Sequence, residues 1–385
     1  MTKADAAGGD PEAAEISLRV TGTSQTTQII IEEGVLERIG SILRPLVVGR
    51  HVLLVTDETV KGLYGATVTD SITASGLRVD TYTIPPGERS KSLSVAQGLY
   101  AALAANRVGR DGIVMALGGG VVSDLAGFAA ATWMRGIDFT VCPTTVEADV
   151  DASIGGKTAV NVPAGKNLVG AFHQPRLVAI DPLCLRTLSQ RDVQAGLAES
   201  IKHALIADES FVAWHEANAD AVLTLDPATT TEMIRRNVAI KARIVSSDPT
   251  ERGGARTLLN FGHTIGHAVE AVTGYSLRHG ECVSIGMVAA CRLSNRLGLL
   301  GLSVVEQVER LLERFHLPVT VAHHPGITRI PSAGEILAKI AQDKKGLDDS
   351  VRFVLLEGIG RPAVRSQIPE PLIHEVCTSI LAKSR

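Results

Sequence analysis

The stretch "DGIVMALGGGVVSDLAGFAAATWM", residues 111–134, decides the fold. Residues 111–120 read as an apolar strand that runs into Gly118-Gly119-Gly120, and residues 123–134 have the spacing of a helix. Outward from this unit the alternation repeats. Upstream, "HVLLVTD" (51–57) is a buried strand followed by a helix to about residue 75, "LRVDTYTI" (77–84) is another strand, and "SKSLSVAQGLYAALAAN" is helical. Downstream comes the short strand "DFTVCP". Near the start, "ISLRV" and "TTQIIIEEG" pair as a hairpin. Strands alternating with helices predict an α/β fold, a Rossmann-like, mostly parallel sheet covered by helices.

From about residue 189 the texture changes to long helical patterns over 191–206, 228–246, 255–272, 280–298, 303–315 and 333–342. A late strand, "VRFVLLE", either returns to the sheet or forms a local ribbon. The expected organisation is a loose tail over 1–14, an α/β domain over 15–185 and a mainly helical domain over 186–385. The formal net charge of -3, with both signs mixed along the chain, offers no basic arm for nucleic acid. The five cysteines form no CxxC pair and sit mostly in apolar runs, as reduced thiols in a cytoplasmic protein do. The first residues carry no apolar signal segment, and no apolar run is long enough to span a membrane.

Three segments carry chemistry. In "ALGGGVVSD" the glycines let backbone approach a phosphate, and the following helix offers its free N–H groups to the anion. The spacing is not the GxGxxG fingerprint, and a plain tight turn is the competing explanation. "PPGERSK" (85–91) is a second polar turn at a strand end, with Glu88 and Lys91 available. Two such loops describe a crevice of the kind that takes a dinucleotide. The segment "TTVEADVDASIGGKTAVNVPAGKNLVGAFHQP" (144–175) is too long for a simple connection and sets Lys157 and Lys166 beside glycine turns, which suits a phosphorylated anion; a solvent-facing hairpin is the alternative. Asp151, between Val150 and Ala152, needs a cationic partner if buried.

The third segment is "LLNFGHTIGHAVE", where His263 and His267 share one helical face and Arg256 and Asn260 extend a polar stripe ahead of them. His279 precedes another helical run. Glu199 lies between apolar residues of a third, with Lys202 one turn on. Ligands from three helices would make a metal site with an open position. Spacing alone does not separate His263 from His267, nor a ligand from a histidine packed in a core.

These motifs, taken in order with "GGGVVSDLAGFAAATWMRG", "VDASIGGKTAVNVPAGKNLVGAFHQP", "GLAESIKHALI", "RHGECVSIGM" and "DKKG", resemble the 3-dehydroquinate synthases, members of the sugar-phosphate cyclase superfamily. The resemblance covers residues from about 15 to about 375. It implies a homodimer with NAD and one divalent metal, Zn²⁺ or Co²⁺, acting on a phosphorylated sugar acid. The implied reaction converts 3-deoxy-D-arabino-heptulosonate 7-phosphate to 3-dehydroquinate and phosphate by transient oxidation, β-elimination, re-reduction and aldol closure. By the same resemblance the metal ligands are Glu199, His263 and His279, with His267 beside the substrate instead. The remaining catalytic positions are Asp151, Lys157, Asn167, Lys202, Lys241, Arg256, Asn260 and one lysine of the pair Lys344–Lys345, taken as Lys345. Arg135 matches a residue that reaches the neighbouring subunit's site. The cofactor positions are Asp57, Glu88, Lys91, Gly119, Gly120, Val121, Val122, Ser123, Asp124, Thr144, Thr145, Lys157, Lys166 and Thr187.

Three departures stand out against the family pattern. Ser123 replaces a usual glycine and is costly there if its φ is positive. Glu147 and Asp149 add negative charge near an anion pocket. "SSDPTERGGAR" is one residue longer than usual, which leaves Lys241 the least secure match. The competing readings are a cyclase that makes 2-deoxy-scyllo-inosose or 2-epi-5-epi-valiolone, a metal-dependent polyol dehydrogenase, and a decayed cyclase that only binds.

Overall fold

The computed structural model describes residues 14–20, 25–323, 326–327, 329–342 and 351–381. The expected tail therefore lies outside the described residues, except Ala14, which opens the first strand. Among the described residues the strands are β1 (Ala14–Val20), β2 (Gln25–Ile31), β3 (His51–Asp57), β4 (Arg78–Ile84), β5 (Ile113–Gly118), β6 (Asp138–Pro143), β7 (Lys157–Val162), β8 (Gly165–Phe172), β9 (Leu177–Ile180), β10 (Phe353–Gly358) and β11 (Arg361–Arg365). Seven of them form one sheet in the order β1-β2-β9-β6-β5-β3-β4. Only the β1–β2 pair is antiparallel. β7–β8 and β10–β11 are separate antiparallel ribbons, so "VRFVLLE" takes the local alternative.

β3 and β5 are buried along their length because both faces are covered. Successive side chains point to opposite faces. Leu53, Val55, Val114 and Ala116 pack under the helices Leu93–Ala105 and Gly120–Thr132. Val52, Leu54, Met115 and Leu117 pack on the other side with Ile39 and Ile72. The chain leaves β3 toward β4 and then returns to β5 on β3's other side. The carboxyl ends of β3 and β5 therefore flank a topological switch point, where open α/β sheets bind ligands.

The helices that follow are Gln190–Ala207, Glu209–Leu223, Pro227–Ser247, His263–Val272, His279–Arg296, Leu302–Arg314, Ala333–Gln342 and Glu370–Ser379. Their core is continuous with Ile29, Ile31, Val178 and Ile180 of the sheet, so helices and sheet bury one shared apolar mass. Two sequence expectations fail here. Glu209–Leu223 and Glu370–Ser379 were not among the expected helices. The expected helix over 255–272 is broken: Ala255–Asn260 is a 3-10 turn and Gly262, at φ 80°, starts a new helix at His263. Arg256 and Asn260 therefore do not continue the histidine stripe.

The break has a packing cause. A Cβ on Gly262 would lie 2.7 Å from Met287 Cγ, and one on Gly286 would lie 1.9 Å from the Gly262 carbonyl oxygen. A Cβ on Gly280 would stand 1.8 Å from the Ala195 carbonyl oxygen. These bare backbones let the helix that begins at His263 close onto the one that begins at His279, and that one onto Gln190–Ala207.

Candidate active site

Three helices converge on Glu199. Its Oε1 lies 3.5 Å from His263 Nε2 and 3.6 Å from His279 Nε2. Glu199 is buried, and neither carboxylate oxygen accepts a well-aligned hydrogen bond among the described residues; Lys202 Nζ lies against Oε2. His263 Nδ1 faces the Phe261 carbonyl at 3.1 Å, which places its proton there and leaves the Nε2 lone pair toward Glu199. His279 Nδ1 faces Glu270 Oε2 at 3.6 Å, and Glu270 in turn pairs with Lys166 at 2.7 Å. Electron-pair donors pointing at one another need a cation or a proton between them, so the donor set fits a divalent metal of the zinc type. His267 joins the same histidine group but is exposed. The structure brings all four donors together.

Burial opposes charge on Glu199, yet Lys202 beside it holds its carboxyl well below the usual range. Burial likewise opposes charge on His279, and Glu199, Glu270 and Glu147 nonetheless hold its imidazole well above the usual range. A cation arriving here would displace that proton.

Asp151 forms the second centre. It comes from the turn Ala148–Ala152 that follows β6, and its Oδ1 pairs with Lys241 Nζ at 2.6 Å and lies 4.0 Å from Lys202 Nζ. Lys241 Nζ also donates to the Asp151 carbonyl at 2.5 Å. The cationic partners that Asp151 needs are thus present. Arg256 is fully buried, donates to the Pro249 carbonyl at 2.9 Å and lies over the Phe172 ring. It fits because Gly155 has no Cβ, which would sit 2.7 Å from Arg256 Nη2.

Lys157 and Asn167 stand on the β7–β8 hairpin, both exposed. Lys157 pairs with Glu251 at 2.6 Å, and Asn260 Nδ2 faces the same carboxylate at 3.5 Å. Glu251 lies on the lengthened loop and escaped the sequence analysis, since nothing in a loop's composition points to its spatial partner. Lys344 and Lys345 lie outside the described residues. Arg135 is exposed on a strained turn, where Met134 and Arg135 both have positive φ, at 50° and 71°.

At the sheet's crevice, Lys91 Nζ pairs closely with Asp124, and Asn161 Nδ2 donates to Glu88 Oε1 at 2.7 Å. Asp57, at the end of β3, accepts from the backbones of Thr59 and Val60 and so caps the next helix. Gly119 faces Thr145, whose Cγ2 would lie 3.0 Å from a Cβ on the glycine. Thr145 Oγ1 accepts from Ala148 N, while the buried Thr144 hydroxyl has no partner among the described residues. Thr187 Oγ1 meets the Tyr64 hydroxyl at 2.7 Å. Val121, Val122 and Ser123 lie in the first turns of Gly120–Thr132. Ser123 is helical and not among the positive-φ residues, so the cost foreseen for it does not arise.

A crevice at the switch point, beside buried lysines and a three-helix donor set, defines a nucleotide- and metal-dependent enzyme for an anionic substrate. The family models described as 3-dehydroquinate synthase N-terminal and C-terminal match residues 81–195 and 196–346. A 3-dehydroquinate synthase of Shewanella loihica is 43% identical over 332 residues, 85% of this chain and 90% of that protein. A solved 2-deoxy-scyllo-inosose synthase, complexed with carbaglucose-6-phosphate, NAD+ and Co2+, superposes with a TM-score of 0.85 at 26% identity over 95% of this chain and 99% of that one. The 2-epi-5-epi-valiolone synthase of Streptomyces hygroscopicus, with NAD+ and Zn2+ bound, gives a TM-score of 0.83 at 28% identity over 91% and 96%. The chain belongs to the 3-dehydroquinate synthase family, within the sugar-phosphate cyclases.

Proposed function

We propose that this chain converts 3-deoxy-D-arabino-heptulosonate 7-phosphate to 3-dehydroquinate and phosphate, as a cytoplasmic homodimer of the shikimate pathway that uses NAD and one Zn²⁺ or Co²⁺. The observation that carries the reading is the Glu199–His263–His279 donor set set directly beside the buried cations Lys202 and Lys241. Glu199, His263 and His279 would hold the metal, and Glu88, Lys91, Asp124 and the Gly119–Gly120 backbone would hold the dinucleotide. When bound, the metal supplies Lewis-acid polarisation of a substrate oxygen, and the dinucleotide supplies a reversible hydride acceptor.

The chain's own residues then bind and orient. Lys202, Lys157 and Asn167 hold the phosphate that leaves, while Arg256, Asn260 and Lys241 hold the rest of the anion. Asp151 keeps Lys202 and Lys241 charged and directed into one pocket. Burial of Lys202, Lys241 and Arg256 strengthens their ionic contacts by excluding water. The homodimer is supported by exposed apolar side chains, Met134 beside Arg135 and Leu168, Val169 and Phe172 on the hairpin.

The test supplies the heptulosonate phosphate with catalytic NAD and identifies the product by mass and NMR. One phosphate released per carbocycle, without accumulating NADH, is the expected result. Stoichiometric NADH would make the chain a dehydrogenase. Formation of 2-deoxy-scyllo-inosose or 2-epi-5-epi-valiolone from another sugar phosphate, with the heptulosonate left unconverted, would make it one of the other cyclases, the reading that the superposed structures favour.

A further inference from the structure

A polar chain runs from Asp151 into the helical core, through residues that none of the roles above uses; its first link is an ion-pair contact without an aligned hydrogen bond, and hydrogen bonds carry it on from His203. His203 Nε2 lies 3.2 Å from Asp151 Oδ1, and His203 Nδ1 lies 3.0 Å from Asn237 Oδ1. Asn237 Nδ2 donates to the Met233 carbonyl at 2.8 Å and to Ser200 Oγ at 2.7 Å. Ser200 Oγ meets His215 Nε2 at 2.8 Å, and His215 Nδ1 meets the Phe211 carbonyl at 2.8 Å. His203, Asn237, Ser200 and His215 are all completely buried.

The proton positions follow from the far end. The Phe211 carbonyl can only accept, so His215 carries its proton on Nδ1 and accepts at Nε2 from the Ser200 hydroxyl. The Met233 carbonyl fixes the Asn237 amide with Nδ2 toward it, which turns Oδ1 to His203 and requires a proton on His203 Nδ1. His203 Nε2 then faces the Asp151 carboxylate oxygen at 3.2 Å, within ion-pairing distance but without an aligned hydrogen bond. This relay of Asn237, Ser200 and His215 thus holds the direction of the ring that faces Asp151.

We propose that His203 is a positioning residue for the site: held by Asn237, Ser200 and His215, it fixes the Asp151 carboxylate, and through it the placement of Lys241 and Lys202 on the substrate's anionic groups. It acts through Asp151 and does not touch the substrate. The functional consequence rests on the cyclase reading for its substrate, but the relay itself does not, because its effect is also read with inorganic phosphate.

The experiment uses full-length, metal-loaded protein with NAD. It measures Tm, the calorimetric Kd for inorganic phosphate, and kcat and KM for the heptulosonate phosphate. His203→Phe keeps the ring's bulk and removes both nitrogens; it should weaken phosphate binding about tenfold and raise KM more than it lowers kcat. His203→Gln, whose amide reaches toward Asp151, should recover most of that loss. His203→Asn, which keeps the contact with Asn237 but falls short of Asp151, should behave like His203→Phe and serves in its place if that variant does not fold. Asn237→Leu should reproduce the defect from outside the site, and combining it with His203→Phe should add little, as expected for two parts of one network. Phosphate affinity and KM at wild-type values in His203→Phe or His203→Asn, with only Tm lowered, would overturn the proposal, as would defects of His203→Phe and Asn237→Leu that simply multiply. A wild-type protein inert toward the heptulosonate, with phosphate affinities still in the expected order, would sink the substrate reading and leave the relay standing.

Discussion

Asp149 has no exposed surface, and neither of its carboxyl oxygens has a partner among the described residues. Burial, reinforced by Asp181, raises this carboxyl well above its usual range, so it stays protonated and does not bring the negative charge that its sequence position suggests. Glu147 differs, since its carboxyl lies within the field of His279 and Glu199, although burial raises it as well. The folded chain holds the Asp149 proton where the unfolded chain has lost it, above about 3.9. The stability from that proton is complete below this value and falls as pH rises through the raised folded value. Asp149→Asn should therefore raise Tm more at about pH 8 than at about pH 5, and an equal gain at both would mean the carboxyl is ionised in the fold. Lys241 shows the opposite sign. Burial pushes its ammonium down to about 8, with Asp151 opposing and Arg256 reinforcing. Its charge is lost as pH rises through that value, so KM for the anionic substrate should climb above about pH 8. Between there and the unfolded lysine value of about 10.4, the same group makes stability rise with pH. Lys241→Arg, which keeps its charge, should flatten the KM profile; an unchanged profile would assign the titration elsewhere. At this scale the sequence offered Glu199, His263, His267 and His279 by residue type in apolar settings, and only the family resemblance set His267 apart from the other three. It could not disclose Glu251, His203 or Asn237, because their meaning lies in partners 94, 52 and 34 residues away, Lys157, Asp151 and His203 respectively.

The strands were legible because burial on both faces leaves an apolar run that few other elements explain; β3 and β6 fall where expected. The helix Glu209–Leu223 was not, since "ESFVAWHEANADAVL" mixes aromatic, histidine and acidic residues whose inward members are recognised only once Phe315 packs edge-on against His215. The break at Gly262 was hidden for a related reason: the apolar periodicity runs straight through it, and only the approach of Met287 reveals that the glycine is a joint. Those helix contacts make a prediction. Gly286→Val places atoms inside the Gly262 carbonyl and forces the helices of His263 and His279 apart, a change that costs at least about 1–3 kcal/mol as overpacking. Metal content after dialysis should fall at least about tenfold relative to wild type, although no ligand is altered. Full retention of metal in a folded variant would show that the helix spacing does not set the site.

At the scale of the whole molecule, the β7–β8 hairpin and the turn at Arg135 present apolar side chains outward, while Lys166 ties the hairpin to Glu270 of the helical layer. A homodimer formed across this surface would set Arg135 of one subunit at its partner's site. Mixed dimers of Arg135→Ala and Lys202→Ala should then regain part of the activity that each lacks alone, because one of the two hybrid sites carries both residues. Sedimentation verifies the mixed species, and the absence of recovery in it would confine Arg135 to its own subunit. The bare backbones between the three converging helices have a consequence for recognising damaged copies of this gene. A copy that keeps Glu199, His263 and His279 but exchanges Gly280 would pass any inspection of its ligands, while the Ala195 carbonyl leaves no room for the new side chain. Loss of function in such lineages can therefore begin at residues that carry no reactive atom, well before the reactive ones change.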